Sequence, residues 1–241
     1  MFLKYNSQVI MLSLRTRILF LGTALAAAIS AGAAAYPEVT PQQAVRNLEA
    51  AFASLRSLQA DFEQEHASAV IATPLRETGK FYFQKPDRMR WEYDDPEPQV
   101  FVFKEGRVWN YVPEDNQLIR YALSPEQQNA AVFALLTGRA KLEDDYLIEP
   151  AEFPTGLKST VQIKLVPRQE GDFAHILLEL DGRTWLIDRI VTLDWAGSRQ
   201  EFVFRKIKVN PRLKPSTFEV KVPEGTEIID DTGDSIKQAA R

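Results

Sequence analysis

The sequence predicts an α+β fold that is mainly antiparallel β: an incomplete, open β-barrel or strongly curved sheet of about ten to eleven strands, closed by lid helices. Three observations carry this. Apolar and polar residues alternate with period two in many short runs, Gly, Pro, Asp and Asn turns separate those runs, and only two stretches show helical spacing. The 241 residues contain no Gly/Ser linker and no step in composition, so a single domain over 36–241 is expected.

Residues 1–35 are read as an export signal rather than fold. Arg15 and Arg17 precede the apolar run from Ile18 to Ala28, and Ala33-Ala34-Ala35 supplies small residues at a cleavage site before Tyr36. Met11 is a second possible start. An uncleaved anchor is the competing reading, but Gly22, Ser30, Gly32 and the alanines leave its second half weakly apolar, and the small-residue end decides for cleavage. Cleavage leaves 26 basic residues against 33 acidic ones, a charge of -7. No Cys follows the apolar run, so the chain cannot be lipid-anchored through one.

Composition excludes much chemistry. With no Cys there is no disulfide framework, thiolate metal site or Cys nucleophile, and two histidines (His66, His175) cannot build a multi-His zinc centre. Basic residues are interspersed with acidic ones, so nucleic acid is not expected as a partner.

Thr40-Pro41-Gln42-Gln43 forms a helix-start signal, and Val45, Leu48, Ala51, Phe52 and Leu55 follow at helical spacing, giving an amphipathic helix of about 18 residues. Period two then takes over, weakly in Gln59–Glu65. Gly79–Lys85 sets Phe81 and Phe83 on one face, and Met89, Trp91 and Tyr93 alternate with Arg88, Arg90 and Glu92. Val100–Phe103 is apolar on both faces. Glu105-Gly106 turns into Val108–Val112, and Pro113 to Asn116 turns into Gln117–Tyr121. Ser124-Pro125-Glu126-Gln127 opens a second helix carrying Val132, Phe133, Leu135 and Leu136, with Gly138 as its C-cap. Strands follow over Tyr146–Glu149, Thr160–Pro167, His175–Leu180, Leu186–Trp195, Gln200–Val209 and Phe218–Val222. The polar end from Asp230 to Arg241 is expected to fray.

No catalytic set emerges. Asp94-Asp95, Asp144-Asp145 and Asp230-Asp231 are adjacent pairs beside turns or helix ends, and neighbours on a strand point to opposite faces. There is no nucleophile elbow, P-loop or dinucleotide fingerprint. Neither catalytic residues, metal nor cofactor is expected. What the strands do carry is aromatic side chains, as a core or as the lining of an apolar cavity under the amphipathic helices.

The run Gly79-Lys80-Phe81-Tyr82-Phe83-Gln84-Lys85-Pro86-Asp87-Arg88-Met89-Arg90-Trp91-Glu92-Tyr93 resembles the signature region of the LolA family of periplasmic outer-membrane lipoprotein carriers. The resemblance continues through Pro96, the Gly106 turn, Val108-Trp109-Asn110-Tyr111, Phe133 to Gly138, and Pro223-Glu224-Gly225. With the opening helix and Phe62-x-Gln64 it covers nearly all of the mature chain. It implies a periplasmic chaperone, expected to be monomeric, that holds acyl chains of lipoproteins in a hydrophobic cavity. The implied partners are acylated lipoproteins, an inner-membrane ABC-type exporter and an outer-membrane receptor. A carrier of another lipid or glycolipid, or a non-transporting sensor or adaptor on the same fold, is the alternative.

Within that reading the candidate cavity residues are Phe81, Phe83, Met89, Trp91, Tyr93, Phe101, Phe103, Trp109, Tyr111, Phe202 and Phe204. The candidate lid comprises Val45, Leu48, Phe52 and Leu55 on the first helix, with Val132, Phe133 and Leu136 on the second. The resemblance places a latching Arg immediately before the signature Pro, where this chain has Lys85. Lys85 is therefore the candidate latch, with Arg88 and Arg90 as substitutes. A lid that covers the cavity when empty subtracts its opening cost from ligand affinity, which is what a carrier that must release cargo requires.

Overall fold

In a computed structural model, which describes residues 39–68, 73–123, 133, 141–154, 160–171 and 173–231, the chain opens with helix α1 (Pro41–Ser54). The Thr40 hydroxyl accepts from the Gln43 backbone N–H at 3.2 Å, and Pro41 takes the first helical position. The helix has 14 residues because Leu55 is already extended and leads directly into strand β1. No helix among the described residues is long and apolar enough to cross a membrane.

The strands are β1 (Ser57–Ala67), β2 (Leu75–Gln84), β3 (Arg88–Asp95), β4 (Gln99–Lys104), β5 (Arg107–Val112) and β6 (Gln117–Ala122). After the short helix α2 (Leu142–Asp145) come β7 (Tyr146–Pro150), β8 (Thr160–Pro167), β9 (Phe173–Asp181), β10 (Ile187–Asp194), β11 (Arg199–Val209) and β12 (Glu227–Asp231). They form one sheet in the order β12-β6-β5-β4-β3-β2-β1-β11-β10-β9-β8-β7, antiparallel except where β12 runs parallel to β6. Apolar side chains from β8 at one end and β5 at the other meet α1 in one cluster, so the sheet curves around the helix.

Turn chemistry follows the residues. Glu105 and Gly106 both have positive φ (54° and 75°), the two-residue hairpin geometry that Gly makes affordable. Between β9 and β10 the expected Asp-Gly hairpin is a wider loop. Asp181 accepts from the backbone N–H groups of Arg183 and Thr184, and Trp185, not Gly182, takes the left-handed conformation. On β11, Lys206 (φ 51°) is an extra residue opposite Ala60, so the chain returns Ile207 to the face of Phe202 and Phe204.

The C-terminal segment differs from the expectation. Phe218–Val222 is not a strand. Pro215–Phe218 forms a 3-10 turn that lies against β3 and β4 on the sheet's outer face, where Phe218, Val102 and Leu118 are buried. The last strand is instead Glu227–Asp231, so Asp230, expected to fray, pairs with β6 and its carboxylate meets Arg120. The second expected helix lies outside the described residues apart from Phe133, which is helical.

The outer face carries the charges. A chain of ion pairs crosses five neighbouring strands: Glu179 to Arg189 (3.7 Å), Arg189 to Glu201 (2.6 Å), Glu201 to Arg199, Arg199 to Glu65 (3.7 Å) and Glu65 to Arg76 (2.8 Å). At the β9 end Glu179 is fully buried, and Gln162, whose Oε1 accepts from the Phe153 backbone N–H, donates to the Glu179 Oε1. Asp188 shares a bulge with Arg189 opposite Glu179. Burial, reinforced by the Asp181 and Glu179 carboxylates, pushes Asp188 up to about 6. A raised carboxylate pKa costs stability above that value, and the cost fades as pH falls from about 6 towards 4. Asp188→Asn is therefore expected to raise Tm by about 2–4 °C at pH 7.5, allowing for solvent screening, and to leave it unchanged near pH 4. Thermal scans at the two pH values check this.

Candidate functional site

The register defines one concave face, because residues directly opposed in an antiparallel ladder point the same way. Phe62 on β1 stands between Phe204 on β11 and Gly79 on β2. Ala60 opposes Phe81, Phe81 opposes Trp91, and Trp91 opposes Phe101, while Leu58, Phe83, Met89, Phe103 and Val108 form the next row. The rings interlock: Phe81 and Trp91 centroids are 4.3 Å apart, Phe62 meets Trp91 and Tyr93 edge-on at 5.1 and 5.0 Å, and Phe202 stacks on Phe204 at 6.3 Å. Nine of the eleven candidate cavity residues thus share this face: Phe81, Phe83, Met89, Trp91, Tyr93, Phe101, Phe103, Phe202 and Phe204.

Trp109 and Tyr111 do not. They oppose Val102 and Val100, whose alternation turns them to the outer face, and Val108 and Asn110 point inward in their place. The cause is β4, apolar on both faces, with the outer one covered in part by the C-terminal 3-10 turn. Pattern alone cannot orient such a strand.

Helix α1 lays Val45, Leu48, Phe52 and the following Leu55 into the same cluster, all at 3% exposure or less. Phe133 joins it, meeting Phe103 edge-on at 4.7 Å. Val132 and Leu136 lie outside the described residues. Lys85 fastens the end of α1: its ammonium donates to the Phe52 carbonyl at 2.9 Å and the Ala53 carbonyl at 2.7 Å, and its backbone N–H to Arg56 at 2.9 Å. A cation on the carbonyl end of a helix also meets the favourable end of its dipole. Arg88 and Arg90 do not take this place. Both alternate with Met89 to the outer face, where the Arg90 guanidinium donates to the carbonyl of Glu219 and pairs with Glu92, both at 3.3 Å. It holds the C-terminal segment rather than α1.

A cysteine-free chain therefore carries an apolar concave wall, a helix plugging it, and a lysine holding that helix at the position immediately before Pro86. The family described as "Outer membrane lipoprotein carrier protein LolA" matches residues 53–221. The chain belongs to the LolA family. An outer-membrane lipoprotein carrier protein of Methylococcus capsulatus is 30% identical over 204 residues, covering 83% of this chain and 92% of that protein. One of Nitrosomonas europaea is 26% identical, with 81% and 93% covered. Among solved structures, an uncharacterized conserved protein from Thermus thermophilus is similar in fold, with TM-score 0.50, 19% identity, and 79% and 98% covered.

This LolA-family chain also has polar groups on the concave face that pattern reading passed over. Tyr93 donates to Gln64 Oε1 at 2.7 Å, and burial pushes its phenol well up. Gln99 donates to Asn110 at 3.0 Å, and Glu77 opposes Gln64 on β2. The signal for them was available, since Gln64 and Glu77 fall two residues from Phe62 and Gly79 and so on the same face.

Proposed function

We propose that the protein is a periplasmic chaperone that takes the acyl chains of lipoproteins onto its concave face and carries them from an inner-membrane ABC-type exporter to an outer-membrane receptor. It would be exported by residues 1–35 and work as a single-domain monomer over 36–241. Membership of a carrier family rather than an enzyme family supports this, as do relatives named lipoprotein carriers that align along most of their length.

The observation that carries the reading is the plug. The apolar side of α1 occupies the aromatic face and is held at its end by one lysine side chain, so a reversible opening uncovers a surface for apolar chains. Each buried methylene is worth ~0.8 kcal/mol, so two or three acyl chains far outweigh the cost of displacing the helix.

The test is release. The exported protein is added to cells stripped of their outer membrane, and a labelled lipoprotein should appear with it in the soluble fraction and leave it when outer membranes are added. No soluble complex would sink the proposal. Lys85→Ala removes charged hydrogen bonds worth about 1–2 kcal/mol to the closed form. Amides of α1 should then exchange faster, and cargo should be held roughly tenfold more tightly, because less opening cost is subtracted. Delivery to outer membranes should slow accordingly.

A further inference from the structure

The concave face is uneven in one chemical respect. At the paired positions of β1 to β11 that share the face of Phe62 there is no Lys and no Arg; those residues occupy the opposite face, as Lys80, Arg90, Lys164, Arg189, Arg199 and Arg205 do. Polarity on the concave face instead gathers at one end of the strands. Tyr93 and, opposite it, Gln99 end the row of Phe62 and Gly79; the next row along β1 and β2 holds Gln64 opposite Glu77, and His66 follows Gln64.

Gln64 is only 9% exposed. The Tyr93 hydroxyl takes its oxygen, and its amide N–H2 donates to none of the described residues. The N–H2 is not sealed from solvent, so this spare donor is free to meet a carbonyl or water. Glu77 beside it adds a carboxyl. Phosphate recognition relies on Arg, Lys or clustered backbone N–H groups. Here a carboxyl stands where such a cation would be needed.

We infer that Gln64, held by Tyr93 and flanked by Glu77, is a head-group station that accepts the neutral ester carbonyls of a diacylglyceryl ligand and disfavours lipids bearing an anionic phosphate. The inference rests on the carrier reading and adds ligand class to it: the aromatic wall takes the chains, and the polar end chooses the linkage. Membranes contain far more phospholipid than lipoprotein, so a carrier with only an apolar cavity would fill with the wrong cargo.

The exported protein is loaded with the apolar dye N-phenylnaphthylamine, and dioctanoylglycerol or dioctanoylphosphatidylglycerol is titrated in as competitor. Dioctanoylglycerol should displace the dye at roughly tenfold lower concentration, about what one well-made hydrogen bond and one avoided repulsion supply. Glu77→Gln should narrow the gap by improving the phosphatidylglycerol arm. Gln64→Leu should weaken the dioctanoylglycerol arm about tenfold with dye binding intact. Tyr93→Phe keeps the ring and frees the amide, so it should give a partial loss and remains informative if Gln64→Leu does not fold. Equal competition by the two lipids overturns the inference, as does an unchanged preference in Glu77→Gln and Gln64→Leu while the dye still binds. If the wild-type protein binds no dye at all, the carrier reading fails and this inference falls with it.

Discussion

Gly79→Ala should lower the free energy of unfolding by about 3 kcal/mol, which for a chain of this size is a fall in Tm of about 6–12 °C. A Cβ at this position would lie 2.1 Å from the Glu92 carbonyl oxygen on β3 and 2.8 Å from two carbons of the Phe62 ring. The first contact is with backbone, so relief requires β2 and β3 to part. The second pushes Phe62 off the edge-on contacts it makes with Trp91 and Tyr93. The missing side chain is thus what lets the largest ring of β1 lie flat over the neighbouring strand at the centre of the concave wall. Gly106→Ala is the control. Nothing lies within 4 Å of its Cβ, and its cost is only that of a positive φ of 75°, about 1 kcal/mol. Equal losses for the two variants in thermal or urea unfolding would contradict this account.

Arg189→Leu should cost about 3–5 kcal/mol, because it strands a carboxylate that is out of contact with water. Glu179 is fully buried, its Oε2 accepts no hydrogen bond, and Arg189 at 3.7 Å is its cationic partner. Arg189 also stands 2.6 Å from Glu201 and donates to the Pro154 carbonyl at 2.8 Å, so it joins the outer segment to the sheet. The contact with Glu201 is electrostatic only, since Arg189 Nε makes no aligned hydrogen bond. Glu179→Gln alone should be mild, because the amide keeps its place beside Gln162 without the charge. Combined with Arg189→Leu it should recover most of the loss. Urea unfolding of the three variants measures the coupling, and simple additivity would show that the pair is not linked.

Part of the concave wall was legible because β2 and β3 alternate, which puts Phe81 with Phe83 on one face and Met89, Trp91 and Tyr93 on one face; β1 alternates only weakly, and Phe62 was not among the candidates. Legibility ended where both faces are apolar. In β4 and β5 the residues facing inward, Phe103 and Val108, are no more apolar than their outward neighbours Val102 and Trp109. Phe218, more than a hundred residues later, is buried where the 3-10 turn meets β3 and β4, a contact that no local pattern announces. The same distance hid the last strand: Glu227–Asp231 is too polar to be recognised by alternation and forms because β6 offers it an edge. Lys85 was readable as a latch only through a family resemblance, since nothing local says that its ammonium will reach Phe52 and Ala53. The Gln64 and Tyr93 pair needed no such help, only attention to which polar residues share a face with the rings.

An open barrel keeps two strand edges that a closed one would not have, and exposed edges invite neighbouring molecules to zip together into fibres. Here both edges are short. β12 and β7 have five residues each, the first carries Glu227 and Asp230, and the second carries Glu149 and ends at Pro150, which cannot donate to a further strand. The C-terminal strand therefore does more than complete the sheet. It replaces the six-residue edge of β6 with a five-residue acidic one, which offers a neighbouring molecule less backbone to pair with.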